Sequence, residues 1–327
     1  FLYQMAPSQE MVPPFDPKGS RFDQSTFWGR LSHFRQMVDP RTLLTTQEEL
    51  RAAQELLARH ARGKSDASAH ELWEAKRVTD AIIHPVTGEE MFLLGRMSAF
   101  VPVNTIPTAG MLLARTPAAT AFWQWINQSV NVMCNYVNRS GASIDMAQVA
   151  QAYALAVGVS CSIAVGAGRL INSGPGWVKR LGIAVPYMAV VTAGASNVAF
   201  TRLPEMQHGV PISDVEGSPL GVSKKAATTS VAMTVASRNV VLPIAPMLLP
   251  PLAMGVLRSA LPNLKGIPAV AAEVALVATS IYFALPVAIA IFPQELSIPV
   301  SALEPEFQNL KDSHGRPITS VLCNKGL

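Results

Sequence analysis

Charge is scarce in this sequence of 327 residues: Asp, Glu, Lys and Arg make up 15% of it, against about 25% in ordinary soluble proteins. A soluble domain of this length needs a charged shell, and here the shell is too thin. The shortage is also local. Residues 97–202 hold only Arg115, Arg139, Asp145, Arg169, Lys179, Arg180 and Arg202, and residues 240–293 only Arg258, Lys265 and Glu273. Cysteine is scarce as well. Cys134, Cys161 and Cys323 are far apart and odd in number, so neither a disulfide framework nor a zinc site is indicated. The net charge of +4 comes without a basic patch interleaved with aromatics, so nucleic acid is not expected as a partner. No G-x-x-x-x-G-K-[ST] loop, H-E-x-x-H or G-x-S-x-G is present, and the six histidines show no ligand spacing. No enzymatic activity, metal or cofactor is therefore expected. The first 20 residues lack both the apolar core of a signal peptide and the acid-free, Arg-rich pattern of a transit peptide, so a targeting signal is expected to be internal. The true N-terminus stays open, because the first residue is Phe1 rather than Met.

What is there falls into three parts. Residues 1–96 form a polar N-terminal region. Pro13, Pro14, Pro17 and Pro40 argue against helix before residue 45. Two capped helices follow. Thr46 and Glu49 have capping-box spacing ahead of Leu50, Ala53, Leu56 and Leu57, and Ser68 and Glu71 repeat it ahead of a helix that stops before Pro85. Residues 97–293 read as a membrane domain. A membrane helix needs about 20 mostly apolar residues, and candidate spans lie near 97–114, 147–168, 182–202, 240–258 and 268–292. Several such stretches in one chain are rare in soluble cores, so the expected fold is all-α: a polytopic helical membrane protein with about five transmembrane helices. Residues 203–239 read as a polar connection, marked by Lys224, Lys225 and Arg238, and 294–327 as a polar tail. Ala154, Gly158, Ser162 and Gly166 place small residues at four-residue spacing, a pattern that lets helices approach closely in lipid. Pro243, Pro246, Pro250 and Pro251 predict a broken helix whose freed carbonyls must be buried in protein or line a polar cavity; a simple kink is the alternative. Positive-inside counting gives no clean orientation.

The most informative stretch is 120–137, apolar but studded with amides. On a helix, Asn127, Asn131, Asn135 and Asn138 fall at about 0°, 40°, 80° and 20°, with Gln124 at about 60°, in one stripe rising about 21 Å. An amide in hydrocarbon without a partner costs several kcal/mol. The stripe therefore faces a water-filled path, a polar ligand or partner groups on other helices. Amides both donate and accept, so they can solvate a zwitterion without fixing a net charge. Arg139, just beyond, is suited to a bidentate carboxylate pair. Trp123, Trp125 and Tyr136 suit interfacial anchoring. Thr192, Ser196 and Asn197 add polar groups to the span that ends at Arg202, with helix–helix hydrogen bonding as their simpler role. Glu273 sits near the start of its span and is read as a headgroup-level acid. The candidate path residues are thus Gln124, Asn127, Asn131, Asn135, Asn138, Arg139, Ser196, Asn197 and Arg202.

Several motifs carry a family likeness. They are Phe27-x-Gly29-Arg30 with Asp39-Pro40-Arg41; His84-Pro85-Val86-Thr87-Gly88-Glu89; Asn135-Tyr136-x-Asn138-Arg139; Gly209-x-x-Ile212-x-Asp214-x-x-Gly217; Ile291-Phe292-Pro293-Gln294; Leu303-Glu304-Pro305-Glu306; and Asn324-Lys325-Gly326-Leu327. From about Phe22 to Leu327 the chain resembles the sideroflexins, also called tricarboxylate carrier-like proteins. The family usually has an acid where this chain has Val86, so a role that needs that carboxylate is in doubt. The resemblance implies a mitochondrial inner-membrane, multi-pass protein that carries serine or related small amino acids for one-carbon metabolism. It also leaves open a citrate or tricarboxylate carrier, which the Asp39-Pro40-Arg41, Phe122-Trp123-Gln124-Trp125 and Leu303-Glu304-Pro305-Glu306 motifs resemble most. A non-transporting assembly factor for a respiratory complex is the third possibility. The expected partners are a small-molecule substrate, an amino acid or a carboxylate, and the lipid bilayer.

Overall fold

The computed structural model describes residues 12–85, 87–138, 146–175, 184–311 and 315–325. It begins with α1 (Phe27–Met37), α2 (Gln47–Ala61) and α3 (Ala69–Ile82). Both capping boxes form: the Thr46 and Ser68 side chains accept from the Glu49 and Glu71 amides, and each glutamate reaches back to its cap. The helix α1 lies where no helix was expected. No proline falls between Pro17 and Pro40, and the Thr26 side chain caps the Gly29 amide, so a full turn can start there. α2 and α3 close on Leu50, Ala81 and Ile82. The Trp73 ring nitrogen ties the segment before α1 down by donating to the Pro13 carbonyl at 3.0 Å.

Six helical segments follow. They are α4 (Phe100–Leu113), α5 (Pro117–Val137), α6 (Met146–Ser173), α7 (Ala184–Thr201), then, after intervening elements, α10 (Ile244–Ala260) and α11 (Gly266–Ala290). Among the described residues three runs are long and apolar enough to cross a membrane: Val149–Ile171, Lys224–Ala260 and Gly266–Ala290. Met97–Leu113 and Val190–Thr201 are apolar but shorter. The amide-rich α5 is one unbroken helix of 21 residues, about 31 Å long at 1.5 Å per residue. Contacts run α4–α5–α6–α7, then from α7 to the π-helical segment Val235–Val241, on to α11 and back to α4. The helices therefore close a ring. Phe34 of α1 and Val38 just after it cap one end of it, packed with Phe100, Cys134, Val277, Leu285 and Ile289.

The ring depends on close approaches. A Cβ on Gly110 of α4 would lie 2.2 Å from the Trp123 ring of α5, so only glycine lets that indole seat there. Trp123 thus packs against α4. Trp125 and Tyr136 stay partly exposed, and Trp125 Nε1 donates to Tyr153 Oη of α6 at 2.7 Å. On α6 the small-residue stripe Ala154, Gly158, Ser162 and Gly166 faces outward, with nothing within contact distance of a Cβ on either glycine. Among the described residues it makes no close helix approach. The neighbouring stripe Ala152, Ala156 and Ser160 is the buried one.

The segment 203–239 is not a plain connection. After α8 (Leu203–His208) it forms β1 (Val210–Ser213), β2 (Pro219–Ser223) and α9 (Lys224–Thr234). The tail adds β3 (Glu295–Pro299) and β4 (Ser320–Asn324), giving an antiparallel sheet of order β2-β1-β4-β3. Alternating Val210/Ile212, Leu296/Ile298 and Val321/Cys323 point to one face, onto Ala226, Ala227, Leu303 and Phe307. The two polar pieces thus fold into one unit. Its α9 starts at Ser223, whose hydroxyl donates to Glu304 at 2.6 Å. The same carboxylate accepts from the Lys224 and Lys225 amides at 2.8 and 2.9 Å, at the positive end of the helix dipole. Burial alone would push the Glu304 carboxyl up; the bonds from Ser223, Lys225 and Lys224 outweigh it and hold the group below the ordinary range near 4.5.

Two cations close the other end of α11. Arg30 Nε donates to the Ala290 carbonyl at 2.8 Å, and Lys325 Nζ to the Phe292 carbonyl at 3.2 Å, groups that a helix C-terminus leaves without intrahelical partners. Burial, with Arg238, Arg30 and Arg202 nearby, pushes the Lys325 ammonium down to about 8.

Glu304→Gln removes a charged acceptor at the start of α9 and is expected to lower unfolding stability by about 1 kcal/mol at neutral pH. Because the folded-state carboxyl titrates below its unfolded value, the stabilisation is fully present above about pH 4.5 and disappears as pH falls further. Thermal melts of wild type and variant in detergent at pH 7 and pH 4 check this: the gap between them should narrow at the lower pH.

Candidate functional site

The helix ring lines a cavity of about 440 Å³. Three wall helices and the π-helical segment bring polar groups to it, while α6, α10 and α11 line it with apolar residues. α5 supplies Gln124, Asn127, Gln128, Asn131 and Asn135; α4 supplies Asn104 and Thr108; α7 supplies Asn197; the π-helical segment supplies Arg238 and Asn239. Eight carboxamides and one guanidinium therefore share a single wall lining, and among the described residues no aspartate or glutamate joins them.

The amides divide by what they bond. The Asn197 amide donates to the Gln128 side-chain oxygen, both residues being almost wholly buried, and the pair pins α7 to α5. Asn104 donates to the Phe100 carbonyl of its own helix at 2.9 Å. Asn135 accepts from Arg238 Nη1 at 3.4 Å, a long bond. Gln124, Asn127 and Asn131 border the cavity and make no side-chain hydrogen bond to any other described residue.

The proline-rich segment forms the remaining wall. Its break begins as a π-helical segment, where the Leu242 amide donates to the Ser237 carbonyl five residues back; such segments recur at functional sites. In helical register, prolines 243, 246, 250 and 251 deny a donor to the carbonyls of Asn239, Leu242, Pro246 and Met247. All four of those residues border the cavity. The prolines thus place under-satisfied acceptors beside a polar space, where the backbone can tolerate them.

Not every residue singled out in the sequence reaches this cavity. Asn138 ends α5 and donates to the Gly95 carbonyl at 2.8 Å and the Cys134 carbonyl at 2.7 Å. Ser196 is half-buried and bonds the Thr192 carbonyl of its own helix. Arg202 is spent on Glu205, Ser230, Thr234 and the Lys325 carbonyl. Arg139 and Val86 lie outside the described residues. Thr87, Gly88 and Glu89 form a tight turn: the Gly88 amide donates to the His84 carbonyl, the Thr87 amide to His84 Nδ1 and the His84 amide to the Glu89 carbonyl. Gly88 has φ +69°, and Pro85 sits in the turn. That motif shapes the link from α3 to α4, away from the cavity.

Four lining residues escaped the sequence reading. Gln128 lies at about 100° from Asn127, one step outside the stripe. Asn104 is a lone amide in an apolar run. Arg238 and Asn239 fall just before the apolar run 240–258, and their polarity made them look extramembrane. In the structure they lie inside one continuous helical run, Lys224–Ala260, that also carries the apolar stretch.

The family model for sideroflexins matches residues 16–327. The chain belongs to the sideroflexin family. A sideroflexin of Dictyostelium discoideum is 40% identical over 325 residues, covering 96% of this chain and 98% of that protein. The human sideroflexin-1 is 39% identical over 328 residues, 98% of this chain and all of the relative, and the mouse sideroflexin-1 is 40% identical over the same length. No solved structure matches. In this member of the family the amide-lined cavity sits within the matched region, as do the sheet and the α1 cap.

Replacing either Gln128 or Asn197 by leucine strands a buried amide and should cost about 1–3 kcal/mol of stability. The double Leu variant should lose much less than the sum, because neither partner is then left unmet. Thermal unfolding of the three variants in detergent measures the coupling.

Proposed function

We propose that this chain is a membrane carrier for small polar metabolites, with serine or a related neutral amino acid as its substrate, acting in the mitochondrial inner membrane. The observation that carries the proposal is the state of Gln124, Asn127 and Asn131: amides on the wall of a central cavity with no side-chain hydrogen bond to another described residue. Amides that only lock helices together bond one another, as Gln128 and Asn197 do. Amides left open beside a cavity are suited to replacing the water around a solute as it passes.

Charge supports the choice of solute. One guanidinium and no acid line the cavity among the described residues. A neutral amino acid brings one carboxylate and one ammonium, and the wall offers one cation and many acceptors. Citrate would bring about three negative charges against one Arg. Arg202 and Arg258, which a tricarboxylate path would recruit, stand elsewhere: Arg202 among its bonded partners outside the cavity, Arg258 on the exposed side of α10. An assembly factor without transport has no use for an open polar space at its centre. Family membership supports the inner-membrane setting.

Purified protein in liposomes should take up labelled serine in preference to labelled citrate. Asn131→Leu with Asn135→Leu should cut that uptake by about tenfold or more, the scale of one or two lost hydrogen bonds, while the protein still inserts and elutes as a folded species. Uptake that survives this double change would make the stripe structural and end the carrier reading.

A further inference from the structure

We infer that Arg238 and Asn239, adjacent on the π-helical segment, together set substrate selectivity: the guanidinium takes a carboxylate and the Asn239 side-chain oxygen takes an ammonium, so the cavity selects an α-amino carboxylate over acids or amines of the same size. This deepens the carrier reading and rests on it.

Three observations carry the assignment. Asn239 Oδ1 is buried with no hydrogen-bond partner, on a residue of the cavity wall. A stranded acceptor is costly, and a bound donor removes the cost. Its amide nitrogen lies against α7, where a Cβ on Gly194 would sit 2.2 Å from it. The nitrogen edge therefore faces α7, and the oxygen edge is unmatched. Arg238 presents five N–H donors in a fixed fork, yet among the described residues its side chain makes one hydrogen bond, the long one to Asn135, and no ion pair. A guanidinium so lightly held can take a carboxylate by two parallel bonds. The carbonyls freed by Pro246 and Pro250, on Leu242 and Pro246, add acceptors along the same wall. The segment thus holds a cation and an unmet acceptor on neighbouring residues, the pair of groups a zwitterion needs.

The test is uptake of labelled serine into proteoliposomes in competition with unlabelled serine, glycerate, which lacks the ammonium, and ethanolamine, which lacks the carboxylate. Wild type should prefer serine over each analogue by about tenfold or more, the scale of one charge-assisted bond. Asn239→Leu should raise the KM for serine and abolish the preference over glycerate while keeping that over ethanolamine. Arg238→Gln should do the converse, and Arg238→Lys should restore part of the loss. Gly194→Ala, which displaces the Asn239 amide and leaves Arg238 in place, should behave as Asn239→Leu does, and serves if that variant fails to insert. If the variants lower uptake with unchanged preference ratios, Arg238 and Asn239 are structural and the inference is overturned while the carrier reading stands. If wild type takes up none of the compounds, the carrier reading fails and takes the inference with it.

Discussion

An amide buried in an apolar bundle must find a partner, and this requirement orients α5 and, through α5, most of the membrane region. The helix is polar along one face and aromatic or apolar elsewhere, so only one rotation keeps its carboxamides out of hydrocarbon. Once that rotation is set, each neighbour is attached at a defined point. Trp123 seats against Gly110 and fixes α4. Trp125 and Ser129 meet the Tyr153 hydroxyl and fix α6. Gln128 meets Asn197 and fixes α7. The ring is therefore built outward from one helix, and the cavity is what remains on its polar side once these attachments are made.

The same requirement explains why the proline-rich wall stands opposite α5. A chain with prolines at 243, 246, 250 and 251 cannot satisfy its own carbonyls, and lipid offers no donors. Such a segment is stable only against a polar space, and the amide face provides one. Each irregularity is thus tolerable because of the other. An α5 facing a regular apolar helix would leave its amides stranded, and a broken helix facing an apolar α5 would leave its carbonyls stranded.

What was legible in the sequence was whatever is fixed locally. The two capping boxes depend on residues three apart, and the amide stripe depends on helical period alone, so both can be read without tertiary knowledge. The role of each polar residue could not be read in that way. Asn138 and Ser196 carry groups as polar as those of Asn131, but bond backbone carbonyls close by, and only the fold shows that their capacity is used up. The sheet was missed because β1 pairs with β4 more than 100 residues away, and each strand is only four or five residues long. Arg238 was missed for a physical reason as well. Charge near an apolar run is ordinarily a sign of water, and here the water-like surroundings are inside the bundle.

The sheet unit bears on the cavity through α9. Ser230 and Thr234 bond the Lys325 carbonyl, and Arg202, at the end of α7, bonds Ser230, Thr234 and the same carbonyl. The C-terminal strand, the end of α7 and the whole of α9 are thereby stapled at one point. Arg238 lies one turn beyond Thr234 on the continuous helical run, so the staple fixes the height at which the guanidinium enters the cavity. Lys325 in turn closes the end of α11, the next wall of the ring. The tail is thus a structural member of the membrane region, tying two of its walls to a sheet that water can reach.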